Sequence, residues 1–239
     1  MSIKKTKTTK KTSKIHVHIS DIPRKYFPRT KGNKSKEHLS ELLRTMRDLI
    51  YTNNCVQYSG QVCSFNVRSI PTSGGFDPQP EEVFRLMQEF VYHYENYCFR
   101  IFAFRERLFG FTNEILELGY VERDTTIKNL KIHPVVRQAK LLTILDKFND
   151  QNNLGKIIKD RHSLTHKLYY GKEFDHYLRP TKMGFKNEYE FKKWCSEWKK
   201  EITNRSSLTN KTTGIVYKIA HDLASNIIEF KGKLRKSEK

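Results

Sequence analysis

The chain has 239 residues, 37% of them hydrophobic and 12% aromatic, and a formal charge of +19 from 45 Lys and Arg against 26 Asp and Glu. The apolar content argues against wholesale disorder and for one main hydrophobic core. No apolar run approaches the roughly 20 residues of a spanning helix, so no membrane role is expected. The charge creates a field that attracts polyanions, which makes RNA or DNA the natural partner, with a solubilising lysine-rich surface as the plain alternative.

Residues 1–14 hold six lysines and almost nothing apolar, so they read as a disordered basic arm. Ile15, Val17 and Ile19 alternate with His16 and His18, which is the period of a short strand. The two histidines face one way without a third ligand nearby, so no metal is expected there. From Lys36 to Tyr51 the apolar set Leu39, Leu42, Leu43, Met46, Leu49 and Ile50 predicts a helix, with Ser35 as its cap. Gln61 to Ile70 alternates again through Cys63, Phe65 and Val67 and reads as strand. Residues 15–75 thus form a small N-terminal extension of mixed α/β character. The Pro- and Gly-rich stretch Pro71 to Pro80 is a loop and marks the main boundary.

Residues 80–239 read as a helical domain. A long first helix spans Glu81 to Gly119, with Pro80 and Glu81 suited to its first turn, Gly119 to its end, and a kink expected near Gly110. Pro134 to Phe148 is a second, Leu154 to Tyr169 a third, and Phe191 to Ile202 a fourth. A fifth runs from Ile215 to Phe230. Helices joined by modest loops imply an all-α antiparallel bundle of four to five helices. Cys55, Cys63, Cys98 and Cys195 lack C-x-x-C pairing and histidines at finger spacing, so they read as reduced, mostly buried thiols. The N-terminus has no apolar secretory core, and a cytoplasmic location is the default expectation.

The third helix carries the chemistry, in "DRHSLTHKLYY" from Asp160 to Tyr170. Its Arg-x4-His spacing is weak by itself, since chance supplies about half a match in a chain with nine histidines. Helical phase adds weight. At about 100° per residue Leu154, Ile157, Ile158, Leu164 and Leu168 share one arc, and Arg161 falls near its centre, where desolvation without partners costs several kcal/mol. Arg161 therefore faces a polar groove, an ion pair or a subunit interface, unless the helix breaks. His162 and His166 share a flank with Tyr169 nearby, whereas Arg161 and His166 diverge by about 140° on an ideal helix. A structural ion pair between Arg161 and a carboxylate of the long helix is an equal reading on these grounds.

"RHSLTHKLYYG" resembles the Arg-x4-6-His motif of the HEPN superfamily. Arg161, Leu164, Thr165, His166, Tyr169, Tyr170 and Gly171 stand at matching positions, and the helix order from about Pro80 to Phe230 is similar too. His162 stands where that family commonly has asparagine or aspartate. The resemblance implies a helical domain that dimerises to bring two motifs to one cleft and, in active members, a metal-independent endoribonuclease of toxin or antiviral-defence type. It further implies RNA, such as tRNA or mRNA, as substrate, an antitoxin or defence-system protein as partner, and no cofactor.

Transesterification by the RNA 2′-hydroxyl needs an acid/base and positive charge on the phosphorane. His166 suits the first, with His162 as a second acid/base, and Arg161 the second through a bidentate fork. Thr165 and Tyr169 are candidate hydrogen-bond donors to substrate. On the long helix, Arg105 is a further candidate contact and Glu95 a candidate orienting partner for Arg161. The aromatics of "HYENYCFRIFAFRER" have the spacing of a buried face and read as core, and Trp194 and Trp198 read as an amphipathic helix covering that core. Two other functions stay open: a non-catalytic HEPN-like module that binds RNA, DNA or a protein partner, and a basic helical scaffold in which Arg161 closes a structural salt bridge.

Overall fold

In the computed structural model, residues 33–68, 80–166 and 184–237 are described, and among them are seven α-helices and no strand. They are α1 (Asn33–Arg68), α2 (Pro80–Ile115), α3 (Ile127–Ile132), α4 (Pro134–Gln138), α5 (Leu142–Asp146), α6 (Leu154–His166) and α7 (Glu188–Ser237). The expected all-α bundle is what forms, with α1, α2, α6 and α7 as its long members and the three short helices linking α2 to α6. The arm at 1–14, the strand at 15–19 and the loop tip at 71–79 lie outside the described residues.

The bundle is antiparallel where α1 meets its neighbours. Glu41 and Asp48, early in α1, share a cavity with Glu106 and Glu114, late in α2. Across the other flank Ser64 Oγ bonds Asn210 Oδ1 of α7 at 2.6 Å, and Gly60 lies against Thr213. Leu42, Leu49, Val56 and Cys63 of α1 are buried in the same core as Met87, Phe90, Ile101 and Leu108 of α2 and Trp198, Ile202, Ile219 and Leu223 of α7.

Three parts of the sequence reading are corrected. The expected strand from Gln61 is instead the last turns of α1, helical to Arg68. Its alternation is too short to define a face: Cys63 is buried and Phe65 exposed, and packing along α2 and α7 overrides the weak β preference of Val and Phe. The expected break between two C-terminal helices is also absent, because α7 runs unbroken through residues 203–214. That stretch looked like a loop because it is polar, but Arg205, Ser206, Thr209 and Thr212 occupy inward positions and are buried. Tyr97 of α2 reaches the threonine end of this stretch: its hydroxyl meets Thr212 Oγ1 at 2.7 Å and Thr213 Oγ1 at 3.0 Å and donates to the Thr209 carbonyl at 3.0 Å.

Gly60 permits this close approach. A β-carbon there would stand 2.6 Å from Thr213 Oγ1 and 3.5 Å from the Tyr97 ring, pushing apart a buried hydrogen-bonded cluster. Gly60→Ala is therefore expected to lower stability by about 1–3 kcal/mol, despite alanine's better helix propensity, and thermal unfolding measures it.

The single helix expected over Pro134–Phe148 is split. α4 ends in a left-handed residue, Lys140 (φ 56°), and the following Leu141 N–H returns to the Val136 carbonyl at 3.1 Å, a glycine-type helix stop made by a lysine. Lys140→Gly is expected to raise stability by about 1 kcal/mol, read as a higher melting temperature. Near the end of α2 the same device uses Glu117 (φ 53°), with Gly119 (φ 76°) beyond it, and α2 passes Gly110 as one helix.

Among the described residues no helix is long and apolar enough to cross a membrane.

Candidate active site

α6 enters the bundle through Leu154 and Ile157, both fully buried, which fixes the face that the next turn presents. Asp160 and Arg161 follow, and each reaches a neighbouring helix. Asp160 Oδ2 accepts a hydrogen bond from the Tyr94 hydroxyl of α2 at 2.7 Å and pairs with Arg205 Nη1 of α7 at 3.4 Å. Arg205 also bonds Glu201 Oε1 through Nε at 2.6 Å and lies over the Tyr94 ring at 5.0 Å. The Arg205 and Asp160 side chains are only 8% and 11% exposed, so charge, hydrogen bonds and packing together tie α2, α6 and α7 at the residue before the motif arginine. Burial, with Cys98 and Asp160 close by, drives the Tyr94 hydroxyl well above its ordinary pKa, which keeps it a donor.

Arg161 is partly buried, and its guanidinium packs on α2, with Cζ 3.9 Å from the Phe102 ring centroid and 5.7 Å from that of Phe99. This accounts for an arginine on an apolar stripe: its plane lies on an aromatic ring, where stacking offsets part of the desolvation cost. Arg105 joins the same ring from within α2, with Cζ 4.4 Å from the Phe102 centroid, and its Nε donates to Glu106 at 2.9 Å. Phe102 thus gathers two of the arginines singled out in the sequence. Glu95 stands one turn before Phe99 on the same helix, half-buried, and burial raises its carboxyl above the usual range.

His162 is exposed. The backbone of α6 continues without a break through Thr165 to His166. The side chains of Thr165 and His166, and all of Tyr169, lie outside the described residues. The helix therefore does not begin at Arg161, and over the five residues from there to position 166 an ideal helix backbone turns about 140°.

The reading of the α2 aromatics as core holds for Tyr94, Tyr97 and Phe104 but not for Phe99, which is 42% exposed. Trp194 and Trp198 do cover the core, being 6% and 1% exposed, with stacked rings 6.4 Å apart. Burial pushes the Cys63 thiol up to about 12 and that of Cys195 up to about 11, so neither is poised as a thiolate nucleophile. A cavity of about 280 Å³ opens between α1 and α2, but Glu41, Asp48, Glu106, Glu114 and Glu122 outnumber Arg44 and Arg107 there, which disfavours a polyanion. No group of three His, Cys, Asp or Glu among the described residues is placed to hold a metal ion.

Sequence reasoning missed the Tyr94–Asp160–Arg205–Glu201 network. The signal was present, since Trp198, Ile202, Arg205, Thr209, Thr212 and Val216 recur every three or four residues and Arg205 takes a leucine's place in that series.

A helical bundle whose penultimate helix among the described residues presents an Arg-x4-His motif has the make-up of a HEPN domain. Residues 38–221, well over half of the chain, match the family described as HEPN_Cthe2314-like HEPN, and the chain belongs to that family. At the family level this suggests ribonuclease-type, toxin-type or nucleotide-binding function. The match begins within α1 and ends within α7, so both flanking helices belong to the matched span. No curated protein and no solved structure matches the chain.

Proposed function

We propose that this protein is a metal-independent endoribonuclease that cleaves RNA by attack of the 2′-hydroxyl on the adjacent phosphate, at a site shared between two copies of the chain. The observation that carries the reading is the Arg161 guanidinium fixed on Phe102 beside a buried ion-pair network, at the first position of an Arg-x4-His motif in a HEPN-family chain. A preset guanidinium stabilises the extra negative charge of the phosphorane without reorganising when it forms. His166 supplies the proton transfers, with His162 as a second acid/base, and Arg105, Thr165 and Tyr169 contact the substrate.

The unbroken α6 favours a shared site. On an ideal helix Arg161 and His166 diverge by about 140°, and a second copy related by a two-fold axis supplies the complementary group, Arg161 of one chain acting with the partner subunit's His166. The +19 charge steers RNA, whether tRNA or mRNA, to the dimer, and an antitoxin or defence-system protein that covers the motif would hold the activity in check.

The test is incubation with single-stranded RNA in EDTA. Wild-type protein is expected to cleave, and Arg161→Ala and His166→Ala are expected not to. An equimolar mixture of the two variants is expected to regain about a quarter of wild-type activity, since half of the mixed dimers' sites would be intact and half of all dimers mixed. Folded wild-type protein that binds RNA without cutting it would replace this reading with that of a binding module.

A further inference from the structure

The side of α2 that meets the motif carries two rings that the core does not use: Phe99 is 42% exposed and Tyr92 is 64% exposed. Tyr92, Glu95, Phe99 and Phe102 recur at i, i+3, i+7 and i+10 and so share one side of the helix. Arg161 shows where that side faces, lying 3.9 Å from the Phe102 centroid and 5.7 Å from that of Phe99. Tyr92 is about 10 Å further along the axis. The His93 ring supports it edge-on, with centroids 5.2 Å apart at 71°. From Phe102 toward the start of α2 the surface therefore runs guanidinium, aryl ring, carboxylate, aryl ring.

This order suits one class of ligand. An apolar helix would have to bury the guanidinium and the carboxylate that flank Phe99, at a cost of several kcal/mol each. A nucleotide offers a flat π face to the ring, an anionic phosphate to the guanidinium and an edge of N–H donors to the carboxylate. The two charges also set polarity: Glu95 repels phosphate from the Tyr92 end, and Arg161 draws it to the other. Duplex RNA stacks its bases on each other and cannot present these faces, so the ligand is single-stranded.

We propose that Phe99 and Tyr92 form a base-stacking platform for single-stranded RNA next to the phosphate held at Arg161, with Glu95 accepting hydrogen bonds from the base that lies between them. This rests on Arg161 as the phosphate anchor and adds where the bases go and which ones are preferred. Guanine, adenine and cytosine present amino donors to a carboxylate, whereas uracil offers only its N3–H between two carbonyl oxygens that repel the carboxylate, so uracil is disfavoured at that position.

The probe is a short 2′-O-methyl RNA strand, which the 2′-hydroxyl mechanism cannot cut, with binding followed by fluorescence anisotropy at fixed salt. Phe99→Ala and Tyr92→Ala are each expected to weaken binding about tenfold. Phe99→Trp is expected to keep affinity, whereas Phe99→Leu, which retains bulk without a π face, is expected to behave like Phe99→Ala. Glu95→Gln is expected to erase the preference against uracil. Unchanged affinity in both alanine variants overturns the proposal, as does a shift in sedimentation with RNA binding intact, which would make the surface a protein interface. The outcomes separate from the catalytic reading. If the wild type cuts no RNA but the uncleavable strand still needs Phe99, the platform stands and catalysis falls; cleavage with binding indifferent to both rings removes the platform alone.

Discussion

Asp160→Ala is expected to be among the most destabilising single substitutions in the bundle, costing about 3–5 kcal/mol. The loss comes less from the missing carboxylate than from what it leaves behind. Arg205, its side chain 8% exposed, would lose the Asp160 carboxylate at 3.4 Å while keeping Glu201 at 2.6 Å, and the buried Tyr94 hydroxyl would lose the acceptor it has at 2.7 Å. Asp160→Asn retains an acceptor for Tyr94 and is expected to lose less. Arg44→Ala, at an exposed pair with Glu41, is expected to change stability by under about 1 kcal/mol, so it separates the effect of burial from that of charge pairing as such. Urea unfolding of the three variants measures all of this, and an Asp160→Ala loss no larger than that of Arg44→Ala would contradict the description of the network.

Arg161 is expected to behave in the opposite way, with large effects on RNA cleavage and small ones on folding. Its stack on Phe102 contributes about 1–2 kcal/mol of stability, whereas removing a preset donor to a developing oxyanion typically costs about 10²–10³ in rate. Arg161→Lys is the informative variant. Lysine keeps the positive charge but not the planar fork or the stacking surface, so most of the rate is expected to be lost and little of the stability. Steady-state cleavage alongside thermal melting of the same samples gives both numbers. If Arg161→Lys retained full rate, the bidentate geometry would have no role.

How much of this was legible in the sequence depended on where polar residues fell. Apolar periodicity located α2 and α6 well, and the arginine in the α6 stripe correctly signalled something other than leucine packing. What the phase could not give was the partner: an ion pair from the long helix was one option, and the ring of Phe102 is what the guanidinium packs on. A buried ion pair at this level joins Arg205 and Asp160, the residue before the motif arginine. Arg205 was hidden because Arg205, Ser206, Thr209 and Thr212 interrupt the apolar stripe of α7 with side chains that ordinarily mark a loop. Arg205 is made suitable for burial by Asp160 of α6 and by Glu201, and the stretch 209–213 by the Tyr97 hydroxyl of α2 together with carbonyls of α7 itself. The recurrence of these positions every three or four residues marks the helix, but not the distant Asp160 and Tyr97 that satisfy them. The helical end of α1 was misread for a related reason, since period 2 over a few residues is also what a helix with one inward cysteine displays.

The central claim is that RNA is cut through its own 2′-hydroxyl at the Arg161 and His166 motif. It is tested most directly by treating matched single strands, one RNA and one with 2′-deoxy sugars throughout, with the wild-type protein in EDTA and identifying the ends produced. The account predicts that only the RNA is cut, leaving 2′,3′-cyclic phosphate and 5′-hydroxyl ends. Cleavage of the deoxy strand at a similar rate, or RNA products ending in 5′-phosphate, would contradict it.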